Sequence, residues 1–178
     1  WQFHAAPGDR WVLGNERLVS LWPVRGGPVL DGQTIYFTAG IWPFEGTFLY
    51  ALDCQTGRPV PPSEDQKAEA ATAIEVVTLK DKTPQGYLAI GQSKLLIPCG
   101  RSNVACLDRE TGQFVHFGYK TAGVSNYHVC TDGSWLFHGL LSFDMANQEK
   151  SSVQVWRPIL TDEALYSGQG DKLIAYDL

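Results

Sequence analysis

"ALDCQTGRPV" (residues 51–60) and "CLDRETGQFV" (residues 106–115) are two versions of one phrase. Each is a short apolar run closed by an aspartate, with Thr-Gly at the third and fourth positions after it. A strand that must reverse at its end explains those residue types. The carboxylate of Asp53 or Asp108 accepts backbone N–H bonds across the turn, while Gly57 or Gly112 supplies a positive φ at little steric cost. The phrase is therefore a turn signature first. A role for these aspartates as metal ligands or acids is the lesser reading.

Working outward, the same plan recurs along the chain. The first unit reads "DGQTIYFTAG" (31–40) then "TFLYALDCQTG" (47–57), and the second reads "GQSKLLIPCG" (91–100) then "NVACLDRETG" (103–112). A third, "TDGSWLFHG" (131–139) with "LSFDMANQ" (141–148), keeps the Asp but loses the Thr-Gly. The fourth, "DEALYSG" with "KLIAYDL" (162–178), stops just after its Asp. Asp53, Asp108, Asp144 and Asp177 are spaced 55, 36 and 33 residues apart. The mean is close to the ~40–45 residues of one four-stranded propeller blade. Tyr36, Phe37, Leu96, Ile97, Leu136, Phe137 and Tyr166 are β-favouring residues in short Gly-bounded runs, as buried strands require. The long first interval contains "PPSEDQKAEAATAIEVVTLKDKTPQ" (61–85). It reads as a polar surface excursion that returns as a strand through the β-branched "IEVVTLK".

Composition permits this architecture and excludes others. The chain has 178 residues, 44% of them apolar, enough for one domain with a core. A formal charge of -5 and a pI near 5.3 argue against general nucleic-acid or anionic-membrane binding, which needs concentrated basic surface. No apolar run approaches the roughly 18–20 residues of a spanning helix. The N-terminus "WQFHAAPGDRW" lacks an initiator Met and any signal-peptide pattern, so it reads as the interior of a longer polypeptide. Cys54, Cys99, Cys106 and Cys130 form no CxxC and no adjacent pair. They read as free thiols in or beside strands, although Cys99 and Cys106 could meet across a hairpin.

Catalytic signatures are missing as well. His4, His116, His128 and His138 show no metal-binding spacing, and there is no GxSxG elbow, P-loop or GxGxxG. The least ordinary stretch is "AGIWPFEGTF" (39–48), which inserts Trp42, Pro43, Phe44 and Glu45 where other repeats turn more tightly. Binding residues collect on such loops. Arg101 in "CGRSN" occupies the related loop of the second repeat, and His138 follows a strand and could face a central channel. Trp42, Phe44, Glu45, Arg101 and His138 are thus the candidate ligand or partner face, set against the plainer reading that they cover blades.

"ALDCQTG", "CLDRETG" and "LIAYDL" resemble the repeats of the PQQ-like (quinoprotein alcohol dehydrogenase-like) β-propeller family, over about residues 15–178. "WPV" (22–24), "PQGY" (84–87) and "GRS" (100–102) are similar to propeller modules in large multidomain proteins of planctomycete-type bacteria. The docking Trp that often follows the repeat's Gly is replaced by Pro61 and His116, with Trp156 a looser match in the third unit. The resemblance implies an all-β propeller of four-stranded antiparallel blades. About four blades are expected, over residues 15–60, 61–117, 118–156 and a truncated 157–178, within a larger ring. It also implies a bacterial, extracytoplasmic setting, and a scaffold or interaction role with other blades, other domains or a second copy as partners. The enzymatic branch holds its quinone and calcium with a vicinal disulfide and a Glu/Asn/Asp set. Adjacent cysteines are lacking here, so neither PQQ nor calcium is expected. Part of a PQQ-dependent dehydrogenase completed elsewhere and a glycan-binding propeller using Trp42 stand as alternatives.

Overall fold

A computed structural model describes residues 1–60, 76–79, 81–100, 104–109, 113–115, 127–147, 149–151 and 153–177. Arg101, His116, Gly112 and most of the polar excursion lie outside them. The described residues are all-β, with one 3-10 turn at Pro43–Glu45. A hairpin of β1 (Trp11–Gly14) and β2 (Arg17–Ser20) comes first, reversing through Asn15 and Glu16, both at positive φ. Four antiparallel sheets follow in chain order.

The first sheet is a meander of β3 (Val29–Asp31), β4 (Thr34–Ala39), β5 (Phe48–Asp53) and β6 (Val76–Thr78). Its last strand lies within "IEVVTLK", as the β-branched run predicted. The second is β7 (Ala89–Gly91), β8 (Lys94–Ile97), β9 (Ala105–Asp108) and β10 (Phe114–Val115). The third holds β11 (Val129–Thr131), β12 (Trp135–His138) and β13 (Leu141–Asp144). The fourth holds β14 (Ile159–Leu160), β15 (Ala164–Gln169) and β16 (Lys172–Asp177). These last two are three-stranded among the described residues, not four-stranded. In the third, the fourth-strand position is reduced to a single bridge between Phe143 and Lys150.

The repeat noticed in sequence is a repeat in hydrogen bonding. Asp53, Asp108 and Asp144 donate their amides to Arg58, Gln113 and Glu149 carbonyls, at 2.8–2.9 Å. The residues after them donate to Gln33, Ser93 and Ser134, each at 2.8 Å. Asp53 Oδ1 accepts from the Thr56 amide and hydroxyl, both at 2.7 Å, and from the Gln55 amide at 3.1 Å. Gly57 closes the turn at φ 68°. Asp144 Oδ1 likewise accepts from the Ala146 amide at 2.7 Å. The Asp108 carboxylate takes Lys94 Nζ at 2.5 Å and Ser93 Oγ at 3.2 Å, and the turn after it lies outside the described residues.

Alternating side chains make the sheets stack. Tyr36, Leu96, Phe137 and Tyr166 each sit opposite the residue two before the repeat's Asp. The first three face the following sheet. Tyr36 joins Leu49, Leu79, Leu95, Ile97 and Leu107 between the first and second sheets. Leu96 joins Cys106, Leu136 and Phe143 between the second and third, and Phe137 joins Val155 and Leu165 between the third and fourth. Leu95, Leu96 and Leu136 are fully buried, because a strand between two neighbours has no solvent face. The innermost strands run side by side, β3 near β7 and β7 near β11. A Cβ placed on Gly91 of β7 would lie 2.8 Å from the Thr131 side chain.

Residues 1–5 cover the outer face of the first sheet. Phe3 packs edge-on against Phe37 and Tyr50, Tyr50 Oη donates to the Ala5 carbonyl at 3.2 Å, and Trp1 Nε1 donates to Cys54 O at 3.1 Å. Nothing among the described residues covers the outer face of the fourth sheet in the same way. Tyr166 is exposed there, with Ile159 68% and Leu173 76% exposed.

Stacking also decides the cysteines. All four are free, and Cys99 and Cys106 belong to different core layers on opposite faces of the second sheet. Burial raises the thiol pKa to about 11 for Cys99 and about 12 for Cys106 and Cys130. Thiolate is the reactive form. Ellman's reagent at mildly alkaline pH should therefore modify these three only on unfolding; their rapid modification in the folded protein would contradict the packing.

Candidate functional site

Meander connectivity gives every sheet the same two ends. The repeat aspartates and the turns following β3, β7, β11 and β14 lie at one. The β4–β5, β12–β13 and β15–β16 connections, and the chain's entries into β3, β7, β11 and β14, lie at the other. The candidate residues 42–45 and 138 fall at the entry end, in different sheets.

The β4–β5 connection is a fixed projection. Trp42 is the residue just before the 3-10 turn, and the Glu45 amide donates to its carbonyl at 2.9 Å. Trp22 Nε1 donates to Glu45 O at 2.8 Å, and Arg10 Nη1 pairs with Glu45 Oε2 at 3.0 Å while its guanidinium lies 5.9 Å from the Trp22 ring centroid. Arg10 is well exposed, so that ion pair contributes at most about 1 kcal/mol. The firmer anchor is Thr47, fully buried, whose hydroxyl donates to Lys82 O at 2.9 Å. Trp42 is half-buried and Phe44 is 82% exposed. Glu45 is committed to Arg10. His138, the last residue of β12, is buried at 1% exposure. Trp42, Phe44 and Glu45 thus form one rigid knuckle, His138 is interior, and Arg101 lies outside the described residues.

At the aspartate end, Arg109 joins two sheets. Its Nη1 donates to Asp31 at the tip of β3 and its Nη2 donates to Gln92 O in the β7–β8 turn at 2.5 Å. A groove of about 410 Å³ between the third and fourth sheets is lined by Thr131, Asp132, Ser134, Leu160, Thr161 and Asp162. Asp132 Oδ1 already accepts the Ser134 and Trp135 amides at 2.8 and 2.6 Å. No group of three or more His, Cys, Asp or Glu among the described residues is placed to hold a metal ion. Asp132, like Asp53 and Asp144, acts as a turn acceptor.

Asp53 supplies a measurable sign of that role. The Thr56 hydroxyl first, then the Thr56 amide, and more weakly the Gln55 amide, hold its carboxyl below the ordinary aspartate range. Its contribution to stability is therefore complete above that range and is lost as pH falls through the folded value. An NMR titration should place Asp53 below an unstructured aspartate, and Thr56→Val should bring it back toward the ordinary value. An unmoved midpoint would contradict the bonding.

Sequence reading passed over a second group at the entry end. Gly27, Tyr87, Tyr127 and Arg157 each stand two residues before an innermost strand. Only alignment on the innermost strands, instead of on the aspartates, makes that column visible.

No family model and no curated protein matches the chain. Among solved structures it is similar to the computationally designed Ika4 protein, at TM-score 0.51 and 11% identity, over 88% of this chain and 91% of that one. BamB from Moraxella catarrhalis aligns at 0.38 and 14%, over 88% of this chain and 59% of BamB. A europium-containing methanol dehydrogenase aligns at 0.40 and 19%, over 83% of this chain and 26% of the enzyme. This chain spans less than two thirds of either. The antiparallel sheets, stacked face to face with their first strands innermost, have the architecture of a β-propeller segment.

Proposed function

We propose that the chain is a non-catalytic β-propeller scaffold, an interaction module of a larger bacterial protein, which works by continuing its stack onto a further sheet. The outer face of the fourth sheet carries this reading. Tyr166 occupies the position that Tyr36, Leu96 and Phe137 use to bury against the next sheet. Ile159 lies directly beside it in register, Ala175 lies on its other side, and Leu173 is on the same face. An apolar face of this kind is a docking surface. The partner is another propeller sheet, from the same polypeptide or a second copy.

The likeness of the repeats to propeller modules of multidomain bacterial proteins supports an extracytoplasmic setting. No helix among the described residues is long and apolar enough to cross a membrane. Neither the quinone nor the calcium of the enzymatic branch is part of this reading, because that branch uses a vicinal cysteine pair and no two of the four cysteines here are adjacent.

Light scattering across a concentration series tests the reading. The chain should associate, and Ile159→Lys with Leu173→Lys should leave it monomeric with unchanged circular dichroism. A monomer at all concentrations, indifferent to both substitutions, would count against it.

A further inference from the structure

The entry end carries a row of side chains that the stacking role does not use. Tyr87 leans back over the preceding repeat: a Cβ on Gly27 would sit 1.9 Å from its ring. Tyr127 repeats the arrangement one sheet on. A Cβ on Gly86 would lie 1.9 Å from the Tyr127 carbonyl oxygen, and one on Gly100 would lie 3.2 Å from its ring. The glycines are what let successive repeats set these rings side by side. Tyr87 is 71% exposed, and Tyr127 and Trp156 are exposed as well.

Guanidinium groups flank the rings. Arg25 lies against Gln85, whose amide oxygen, when turned toward it, accepts from Nη2 at 2.6 Å and Nη1 at 2.7 Å. Arg157, in the column with Tyr87 and Tyr127, holds its guanidinium 5.5 Å from the Trp156 ring centroid. Its φ is 48°, a conformation that costs a non-glycine residue about 1 kcal/mol or more. Neither arginine forms an ion pair among the described residues. Among the described residues, two other ion pairs lie at this end, Arg10 with Glu45 and Lys82 with Asp81. His128, between Tyr127 and β11, is kept toward its neutral form by burial and then by the charge of Arg157.

We propose that Arg25, Tyr87, Tyr127, Trp156 and Arg157 form a docking site for an acidic peptide segment of a partner protein, carboxylates meeting the two arginines and apolar side chains lying on the rings between them. Charge and residue type both point to this occupant. A planar guanidinium takes a carboxylate through two parallel bonds, which a neutral amide such as Gln85 does not replace. Tyr, Trp and Arg are the residue types that dominate binding energy at protein interfaces. With a net charge of -5, the chain has local attraction for an acidic peptide but lacks the broad basic surface that a nucleic acid requires. This site is independent of the fourth-sheet face.

Selection of a random peptide library on the intact chain tests it. Enriched peptides should carry acidic residues around an aromatic or aliphatic one. Their binding should weaken about tenfold or more with Arg25→Gln, with Arg157→Gln or with Tyr87→Ala, and should fall as salt rises. Circular dichroism and thermal melting of each variant separate lost binding from lost folding. Ile159→Gln with Leu173→Gln, which adds no charge, should leave peptide binding intact. Enrichment of non-acidic peptides, acidic peptides that bind the arginine variants equally well, no enrichment at all, or tighter binding of a single-stranded oligonucleotide would each overturn the assignment.

Discussion

Phe143→Ala lowers the unfolding free energy by about 3–5 kcal/mol, measured by chemical denaturation of the folded chain. Phe143 is fully buried in the layer between the second and third sheets, opposite Leu136 and in contact with the cluster around Leu96 and Cys106. Truncation removes the ring's transfer free energy and leaves a cavity that sheets fixed by their own ladders cannot close. A domain's total stability is about 5–15 kcal/mol, so this one change consumes a large share of it. A loss under about 1 kcal/mol would mean that the two sheets are not packed on each other at this position.

The second large effect lies in the second sheet, which has a neighbour on each face. Leu95→Ala and Leu96→Ala should each cost about 2–5 kcal/mol, since both side chains are fully buried. Although adjacent in sequence, they enter different layers, Leu95 toward the first sheet and Leu96 toward the third. Their effects should add to within about 0.5 kcal/mol, as for sites that share no partners. Leu95 and Leu107 are cross-strand partners in one layer. That pair should show a coupling of roughly 0.5–3 kcal/mol in a double-mutant cycle. Strong coupling of Leu95 with Leu96 would contradict the two-faced burial.

What the sequence disclosed follows from where its signals are local. The Asp-to-Gly turn is made by residues within five positions of one another, and Asp53, Thr56 and Gly57 form the bonds their chemistry suggested. Apolar runs at Tyr36, Leu96 and Phe137 became strands because short-range alternation and burial agree there. Contacts between repeats were not readable in this way. Nothing near Phe3 announces that it covers Phe37 and Tyr50, and nothing near Arg109 announces its bond to Asp31, 78 residues away.

The candidate face was only partly legible for the same reason. Trp42, Phe44 and Glu45 stood out as an insertion, and they do form one projection. Their anchoring depends on Arg10 and Trp22, from an earlier segment with no motif of its own. His138, expected from its place after a strand to be able to face a central channel, is buried at 1% exposure. Tyr87, Tyr127 and Arg157 were overlooked because their equivalence is one of position before the innermost strand, a position held by Gly27 in the first sheet, by Tyr in the next two and by Arg in the fourth.

Amide hydrogen exchange along the whole chain tests the stacked architecture most directly, because protection reports how far each strand must open before solvent enters. If the four sheets form one stack, the amides of β8 and β9, covered on both faces, should exchange slowest, near the rate of global unfolding. The β1–β2 hairpin, with Trp11, Leu13 and Leu18 exposed, should exchange far faster. Exchange in β8 as fast as in that hairpin would show that the sheets do not stack, and the propeller reading would fall with it.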